Sequence, residues 1–312
     1  MKHKFLTLLL AFALCAGTAV ADVKIDPANF PDEHFRAWVK ENAAAGGDVL
    51  TDAQIAFLEE MDISFSEIAN LKGIEHFSAM KELTCWSNSL KKLDLSQNTA
   101  LVMLRCNGNE LTKLTLPKNA ALSGLYCDQN SLGALDLSAL PELRGLSCRY
   151  NGLKALDLSH NPELLELDCW GNEIKTLDLS KNPALTRLNC LENPIKKIDL
   201  SNNANLSSVS LPETATVTLP GGDKIAMGDF KITRDKEGKL RIDLSKFGEK
   251  IGEPSAEPEG PDEVSVEVSN GVLTFAPFAG RLIVPYRPGG DSVGKPLSET
   301  TIDIILYVDE EI

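Results

Sequence analysis

Apolar residues recur along the middle of the chain with a fixed period of 21 residues. Six complete units begin at positions 80, 101, 122, 143, 164 and 185, and a truncated seventh unit runs from Leu206 to Leu211. In the fifth unit, apolar and polar positions alternate, with Leu167 and Cys169 on one side of the chain and Asp168 on the other. This alternation predicts a short strand in every unit, whose apolar residues point into a core.

The second half of each unit carries another alternation, and an asparagine lies between the two halves. In the fifth unit, Leu177 and Leu179 are predicted to point inward from the opposite wall, with Asp178 outward. Asn172 lies at the corner, where its amide can bond backbone groups that a buried corner cannot leave unpaired. Since no unit buries its own apolar edges, the units should stack into a solenoid with capped ends.

The first half of each unit matches the leucine-rich-repeat pattern L-x-x-L-x-L-x-x-N-x-L, with Cys in place of the third Leu. The chain resembles the bacterial leucine-rich-repeat proteins with 21-residue units, and its overall order resembles that of the internalins. This resemblance implies a helical cap, a repeat array and an immunoglobulin-like domain. We therefore predict an α/β-type leucine-rich-repeat solenoid, with short β-strands in a horseshoe, between a small helical N-terminal cap and a C-terminal all-β sandwich.

The first 21 residues predict a secretory signal peptide. A basic start precedes the apolar run Phe5–Ala16, and small residues lead to a cleavage site after Ala21. The run is too short to span a bilayer, which takes about 20 residues. Lipid attachment at Cys15 is the alternative, although Leu14 is larger than the residue that normally precedes a lipidated cysteine. We expect a secreted, periplasmic or cell-surface protein that does not insert into the membrane after cleavage.

The two ends of the remaining chain differ from the repeat array at 80–211. Residues 22–79 predict the helical cap and a divergent first repeat. Residues 212–312 predict an immunoglobulin-like β-sandwich, because short segments rich in β-formers include a hairpin signal at Asn270-Gly271.

The cap offers few ligands for calcium. Its loop carries one carboxylate, Asp48, and Gln54 stands where a closing acid would be. Because calcium takes about six to eight oxygens, we expect no metal there.

Charge and motifs exclude several classes of protein. Loss of Lys2 and Lys4 with the signal would take the formal net charge from −14 to −16, and no basic patch for nucleic acid is visible. Gly289–Lys295 matches part of a phosphate-loop motif, but Pro296 replaces the Ser or Thr that holds magnesium. We interpret this match as a coincidence. With no catalytic motif elsewhere, we expect no enzyme activity and no cofactor.

Two columns of equivalent positions run along the repeats, one occupied by cysteine and the other mainly by aspartate. We interpret the cysteine column as small buried hydrophobes with free thiols, because disulfides between in-register neighbours would distort the strands; metal binding is the weaker alternative. We interpret the aspartate column as turn chemistry rather than a calcium site. The cysteines are Cys85, Cys106, Cys127, Cys148, Cys169 and Cys190, and the second column is Asp94, Thr115, Asp136, Asp157, Asp178 and Asp199.

The outward positions of the first strands carry the candidate binding residues. Trp, Tyr and Arg are the side chains that anchor interfaces, and every full unit has one there. We predict that a monomer binds a protein or peptide on this concave face. A carbohydrate partner and a purely structural envelope role are the alternatives, and these side chains could also simply cover a solvated sheet. The predicted site is Trp86, Arg105, Tyr126, Arg149, Asp168, Trp170 and Arg187.

Overall fold

A computed structural model describes residues 22–118, 121–259, 263–287 and 301–308. The predicted signal peptide at 1–21 and the phosphate-loop match at Gly289–Lys295 lie outside the described residues. No helix within the described ranges is long and apolar enough to cross a membrane.

The N-terminal cap is helical, as predicted. Strand β1 (Val23–Lys24) pairs with β2 (Val49–Leu50), helix α1 (Glu33–Trp38) continues as a π-turn at Val39–Ala43, and α2 covers Asp52–Phe57.

Side chains at the ends of the cap helices explain where they form. Helix α1 begins at Asp32, whose carboxylate accepts the N–H groups of residues 34 and 35. At the start of α2, Thr51 and Gln54 form a reciprocal capping box. Asp48 accepts a hydrogen bond from Lys40 at 2.6 Å. Gln54 thus caps a helix, and the one loop carboxylate pairs with a lysine.

The repeats, and the segment at 212–226 that follows them, form strands of three residues each. In chain order they are β3 (Glu60–Asp62), β4 (Glu82–Thr84), β5 (Lys92–Asp94), β6 (Met103–Arg105), β7 (Lys113–Thr115), β8 (Gly124–Tyr126), β9 (Gly145–Ser147), β10 (Glu166–Asp168), β11 (Arg187–Asn189), β12 (Lys197–Asp199), β13 (Ser208–Ser210), β14 (Thr216–Thr218) and β15 (Lys224–Ala226).

The first strands form one parallel sheet in the order β3-β4-β6-β8-β9-β10-β11-β13. Leu167 pairs with Leu146 and Leu188 on its two sides, so the 21-residue period is also the sheet register. The central residue of each strand is buried. The divergent first repeat joins the same sheet, since Met61 pairs with Leu83.

The opposite wall is less regular than predicted. Strand β5 pairs with β7, β12 pairs with β14, and β14 pairs with β15. The third to fifth units have no strand in this half. Leu177 and Leu179 are nevertheless buried and Asp178 is exposed, because packing, rather than strand pairing, keeps the leucines inward.

The C-terminal part is all-β and contains two sheets. Beyond residue 226 the strands are β16 (Thr233–Arg234), β17 (Leu240–Asp243), β18 (Ser255–Pro258), β19 (Val266–Ser269), β20 (Val272–Phe275), β21 (Gly280–Tyr286) and β22 (Ile302–Val308). Short 3-10 turns cover Met227–Phe230 and Ser245–Lys250 in this part, and Ile74–His76 in the divergent first repeat. One sheet has the order β16-β17-β20-β19, and the predicted hairpin turns at Asn270 and Gly271 with φ of 52° and 76°.

The second C-terminal sheet continues the solenoid. Strand β22 pairs in parallel with β13, with Val209 opposite Ile304, and antiparallel with β21. The order β18-β21-β22-β13 therefore extends the repeat sheet to eleven strands. The C-terminal part covers the end of the solenoid by adding strands to it.

The polar columns behave as their positions predict. All six described cysteines are buried and free, and burial raises the pKa of the Cys85 thiol to about 12. The corner amide of Asn172 donates to the carbonyls of Cys169 and Cys148, at 2.8 and 3.0 Å, and thereby joins two coils.

The column of aspartates forms local turns. Asp94 accepts the backbone N–H of Ser96 at 3.0 Å, and hydrogen bonds from that serine lower the pKa of the Asp94 carboxyl. The same bond to residue i+2 recurs at Asp136, Asp157, Asp178 and Asp199.

A second asparagine column was not predicted. The buried Asn182 donates to the carbonyls of Leu158 and Asn161 at 3.1 and 2.8 Å, and Asn98, Asn161 and Asn203 repeat this role. The recurrence of Asn at one position of the 21-residue unit could have indicated this column from the sequence.

Candidate binding surface

The predicted site residues lie on or at the edge of one face of the repeat sheet. Each strand buries its central residue and points its first and third residues outward. Trp86 and Trp170 each lie two residues after the end of a strand, at the rim of the face. Trp86 is 40% exposed, whereas Trp170 is partly buried. We refer to this surface as the concave face.

Ion pairs hold the three arginines of the concave face. Arg187 lies 2.6 Å from Glu166, and Arg105 lies 3.7 Å from Glu82. Arg149 lies 2.5 Å from Asp168, whose side chain is only 19% exposed. Burial acts to lower the pKa of Arg149, but the hydrogen bond and charge of Asp168 outweigh it and raise that pKa. Asp168 therefore favours the charged form of Arg149, and each of the three arginines has a carboxylate partner on a neighbouring strand or coil.

Two of these arginines also lie over aromatic rings. The guanidinium carbon of Arg105 is 5.7 Å from the ring centre of Tyr126, and that of Arg149 is 5.9 Å from Trp170. Cation–π contacts of this length are attractive. Predicted site residues from adjacent units thus contact one another in two separate groups.

Hydrogen bonds between coils fix the polar residues at the centre of the face. Asp128 accepts the Ser147 hydroxyl at 2.6 Å and the Arg149 N–H at 2.9 Å. The amide of Asn189 donates to Asp168 at 3.1 Å. These side chains have little freedom left to lose when a partner binds.

Small residues create a cavity of 390 Å³ in the concave face. Its lining includes Gly145, Ser147, Ser208 and Ser210, with Tyr126, Arg149, Arg187, Arg281 and Tyr307 around them. A Cβ built at Gly145 would lie 3.3 Å from the Tyr126 hydroxyl oxygen. The glycine therefore lets that ring extend over the neighbouring strand.

The C-terminal part contributes residues that the sequence prediction missed. The ring of Tyr307 lies 5.3 Å from that of Trp170, and Arg281, which pairs with Glu257, lines the same cavity. Alternation along β22 was a signal for an outward Tyr307, but nothing local indicated that β22 would join the repeat sheet. Within the described residues, no group of three or more His, Cys, Asp or Glu is placed to hold a metal ion.

The corner that follows each strand has left-handed backbone. The six residues of this column have φ between 48° and 68°. Only two of them are glycine, so the residue types in this column did not indicate a left-handed conformation. They are Ser87, Gly108, Gln129, Tyr150, Gly171 and Glu192.

Comparison with known proteins finds one curated relative with significant similarity. No protein-family model matches the chain. The chain is 39% identical to Internalin J of Listeria monocytogenes over 74 residues, which are 22% of its own length. This match spans 8% of the length of Internalin J.

Solved structures show a likeness in fold at low sequence identity. The functional domain of InlJ from Listeria monocytogenes, described as including a cysteine ladder, is 18% identical, with a TM-score of 0.38, 94% coverage of this chain and 100% of the other. Listeria monocytogenes InlP is 17% identical, with a TM-score of 0.46 and coverage of 93% and 99%. The 21-residue repeat and the stacked parallel strands make this chain a leucine-rich-repeat solenoid, and its sequence similarity to Internalin J covers 74 residues.

Proposed function

We propose that this chain is an exported, non-enzymatic binding protein that holds a protein or peptide on its concave face. The observation that carries the proposal is the arrangement of anchor-type side chains on one continuous sheet. Arg105 and Arg149 are held both by carboxylates and by aromatic rings before any partner arrives. Fixed side chains of these types are those that contribute most to protein interfaces.

The size of the surface supports a polypeptide partner. From β4 to β22 the sheet crosses eight strands, which at about 4.8 Å per strand spacing span roughly 34 Å. That length suits an extended segment or a folded domain. Export is supported by the signal-like first 21 residues.

Site-specific photocrosslinking tests the proposal. We would place benzoylphenylalanine at Thr84 or Asn189, which point outward from the concave face, and at Asp157 or Asp199 on the opposite wall. With extracts of the native surface, both concave positions should capture the same protein and the opposite-wall positions should not. Capture only from the opposite wall would refute the proposal.

Affinity for the captured protein gives a second test. Trp86→Ala should weaken binding by about 2 kcal/mol, the threshold for an interface hot spot, or roughly thirtyfold. Asp157→Asn is the matched control and should bind like the wild type. Equal affinity of the wild type and Trp86→Ala would show that Trp86 is not an anchor.

A carbohydrate partner is the second candidate, because the cavity has tyrosine rings at its border and hydroxyl, amide and charged groups inside it. Glycan binding that is lost in Tyr126→Ala but kept in Trp86→Ala would favour this candidate.

A further inference from the structure

Two aromatic pairs occupy equivalent positions four coils apart. The rings of Phe65 and Trp86 are 4.4 Å apart, and those of Tyr150 and Trp170 are 5.7 Å apart. Both tryptophans stand three residues after the central leucine of their strand. Phe65 and Tyr150 each stand four residues after the central residue of the preceding strand.

The backbone confirms that the two pairs are equivalent. Phe65 and Tyr150 both have left-handed backbone, with φ of 51° and 50°. The N–H of Phe65 donates to the carbonyl of Trp86 at 3.2 Å, and the N–H of Tyr150 donates to that of Trp170 at 3.0 Å. The fold therefore presents both pairs in the same way at the rim of the concave face.

The two pairs differ in what covers them. Tyr307 packs on Trp170 at a ring distance of 5.3 Å, and the Arg149 guanidinium lies over the same indole. Among the described residues, no third ring stacks on the first pair, and Phe65 is 67% exposed. Ser64 stands where Arg149 stands in the second pair. The first pair thus lacks both the ring and the cation that cover the second.

We propose that the Phe65–Trp86 pair binds an aromatic side chain of a polypeptide partner, flanked by Lys or Arg, as Trp170 of the second pair packs against Tyr307. This inference rests on the proposed function and names the partner's chemistry. The contact of Trp170 with Tyr307 shows that a tryptophan in this position accepts an aromatic ring. The local charge favours a cationic partner, since Glu60, Asp62 and Glu82 are exposed on the two adjacent strands. Within the part of the chain that the structure describes, Glu82 is the one of these three that pairs with an arginine of the face.

Fluorine NMR of the mature chain labelled with 5-fluorotryptophan tests the proposal. The chain has three tryptophans, Trp38, Trp86 and Trp170, whose signals can be assigned by single Trp→Phe variants. The probe is the capped peptide Gly-Arg-Tyr-Arg-Gly. The Trp86 signal should shift on titration, while those of Trp38 and Trp170 should not. Phe65→Ala should abolish the shift.

Two altered peptides separate the contributions of ring and charge. Replacing Tyr by Leu should weaken binding about three- to tenfold, because an aromatic pair contributes beyond its buried area. Replacing both Arg by Ser should weaken binding and remove its salt dependence. Equal binding of the Tyr and Leu peptides would overturn the proposal. So would a Trp86 shift with chito-oligosaccharide but not with peptide.

The second pair supplies a matched control within the same molecule. Tyr307→Ala removes the ring that packs on Trp170, so the Trp170 signal should now respond to the Tyr peptide. Tyr307→Phe keeps a ring in place and should behave like the wild type. If folded Tyr307→Ala protein shows no Trp170 response, the equivalence of the pairs is refuted. The crosslinking map tests the proposed function separately, because it does not depend on either aromatic pair.

Discussion

At the scale of single residues, Asn172 shows how one buried amide joins two coils. Its nitrogen donates to three carbonyls, and its oxygen accepts the N–H groups of Asn151 and Leu153 at 3.1 and 3.0 Å. The sequence predicted this role because an asparagine at a buried corner needs partners. It could not predict that one side chain would make all five bonds.

We expect Asn172→Ala to lower the free energy of unfolding by about 3 kcal/mol, because it leaves buried backbone groups without partners. Urea unfolding followed by circular dichroism measures this. Asn202→Ala is the matched control, since Asn202 is exposed and its loss should change stability by less than about 0.5 kcal/mol. Similar losses in both variants would contradict the importance of the corner amide.

The buried cysteines should make stability fall in alkaline solution. Burial raises the pKa of Cys85 and of Cys190 to about 12, whereas an unfolded thiol ionises near about 8.5. Between these values the unfolded chain loses protons that the folded chain keeps. Their stabilising contribution is therefore complete below about pH 8.5 and declines toward pH 12, by about 1.4 kcal/mol per thiol and pH unit.

Urea midpoints at about pH 8 and about pH 10.5 measure this decline. The stability of a variant with Cys85→Ala and Cys190→Ala should decline less over the same pH range. Lysines and tyrosines titrate in both proteins, so their contribution cancels when the two declines are compared. Identical declines would contradict the prediction. Thiol titration after denaturation without reductant should find six thiols in a wild-type chain that begins at Asp22 and four in the corresponding variant.

At the scale of elements, the repeat is the part that the sequence predicted best. Inward Leu167 and Cys169 and outward Asp168 follow directly from alternation, which is a local property. The left-handed corner at Tyr150 was not predicted, because its φ results from the closure of each coil rather than from a local glycine. The aromatic pairs were missed for the same reason.

Removal of one whole unit should leave a folded protein. Deleting 122–142 places β9 beside β6, and Asn151 can then take the Cys106 carbonyl that Asn130 now bonds at 3.0 Å. Each coil contacts only its neighbours, so equivalent surfaces meet again. Circular dichroism should show a native spectrum and a cooperative melt.

Deletion of 122–131 alone is the control for this experiment. It brings residues of the opposite wall into the concave sheet and should unfold the array. The repeat assignment would be wrong if both deletions gave the same spectrum and the same melting curve.

At the scale of the whole molecule, the junction between repeats and C-terminal part was beyond the sequence prediction. The strand character of β22 and the hairpin at Asn270 were predicted from local residues. The parallel pairing of β22 with β13 joins segments about 95 positions apart in the chain, and no turn motif specifies such a contact. The same pairing brings Tyr307 to Trp170, and so decides which aromatic pair is covered.

Ending the chain after Leu211 should therefore destabilise the solenoid itself. The truncation removes the hydrogen bond from the Asp303 N–H to the Ser207 carbonyl, at 2.8 Å, and turns β13 into an open edge. Unpaired edge strands promote association between chains. We expect a lower melting temperature than that of the full chain, together with association that increases with concentration in light scattering.

Ending the chain after Val308 keeps β22 and is the matched control, which should melt and scatter like the full chain. If the chain ending at Leu211 stays monomeric and melts at the same temperature, the shared sheet contributes nothing to stability, and the C-terminal part is an independent unit.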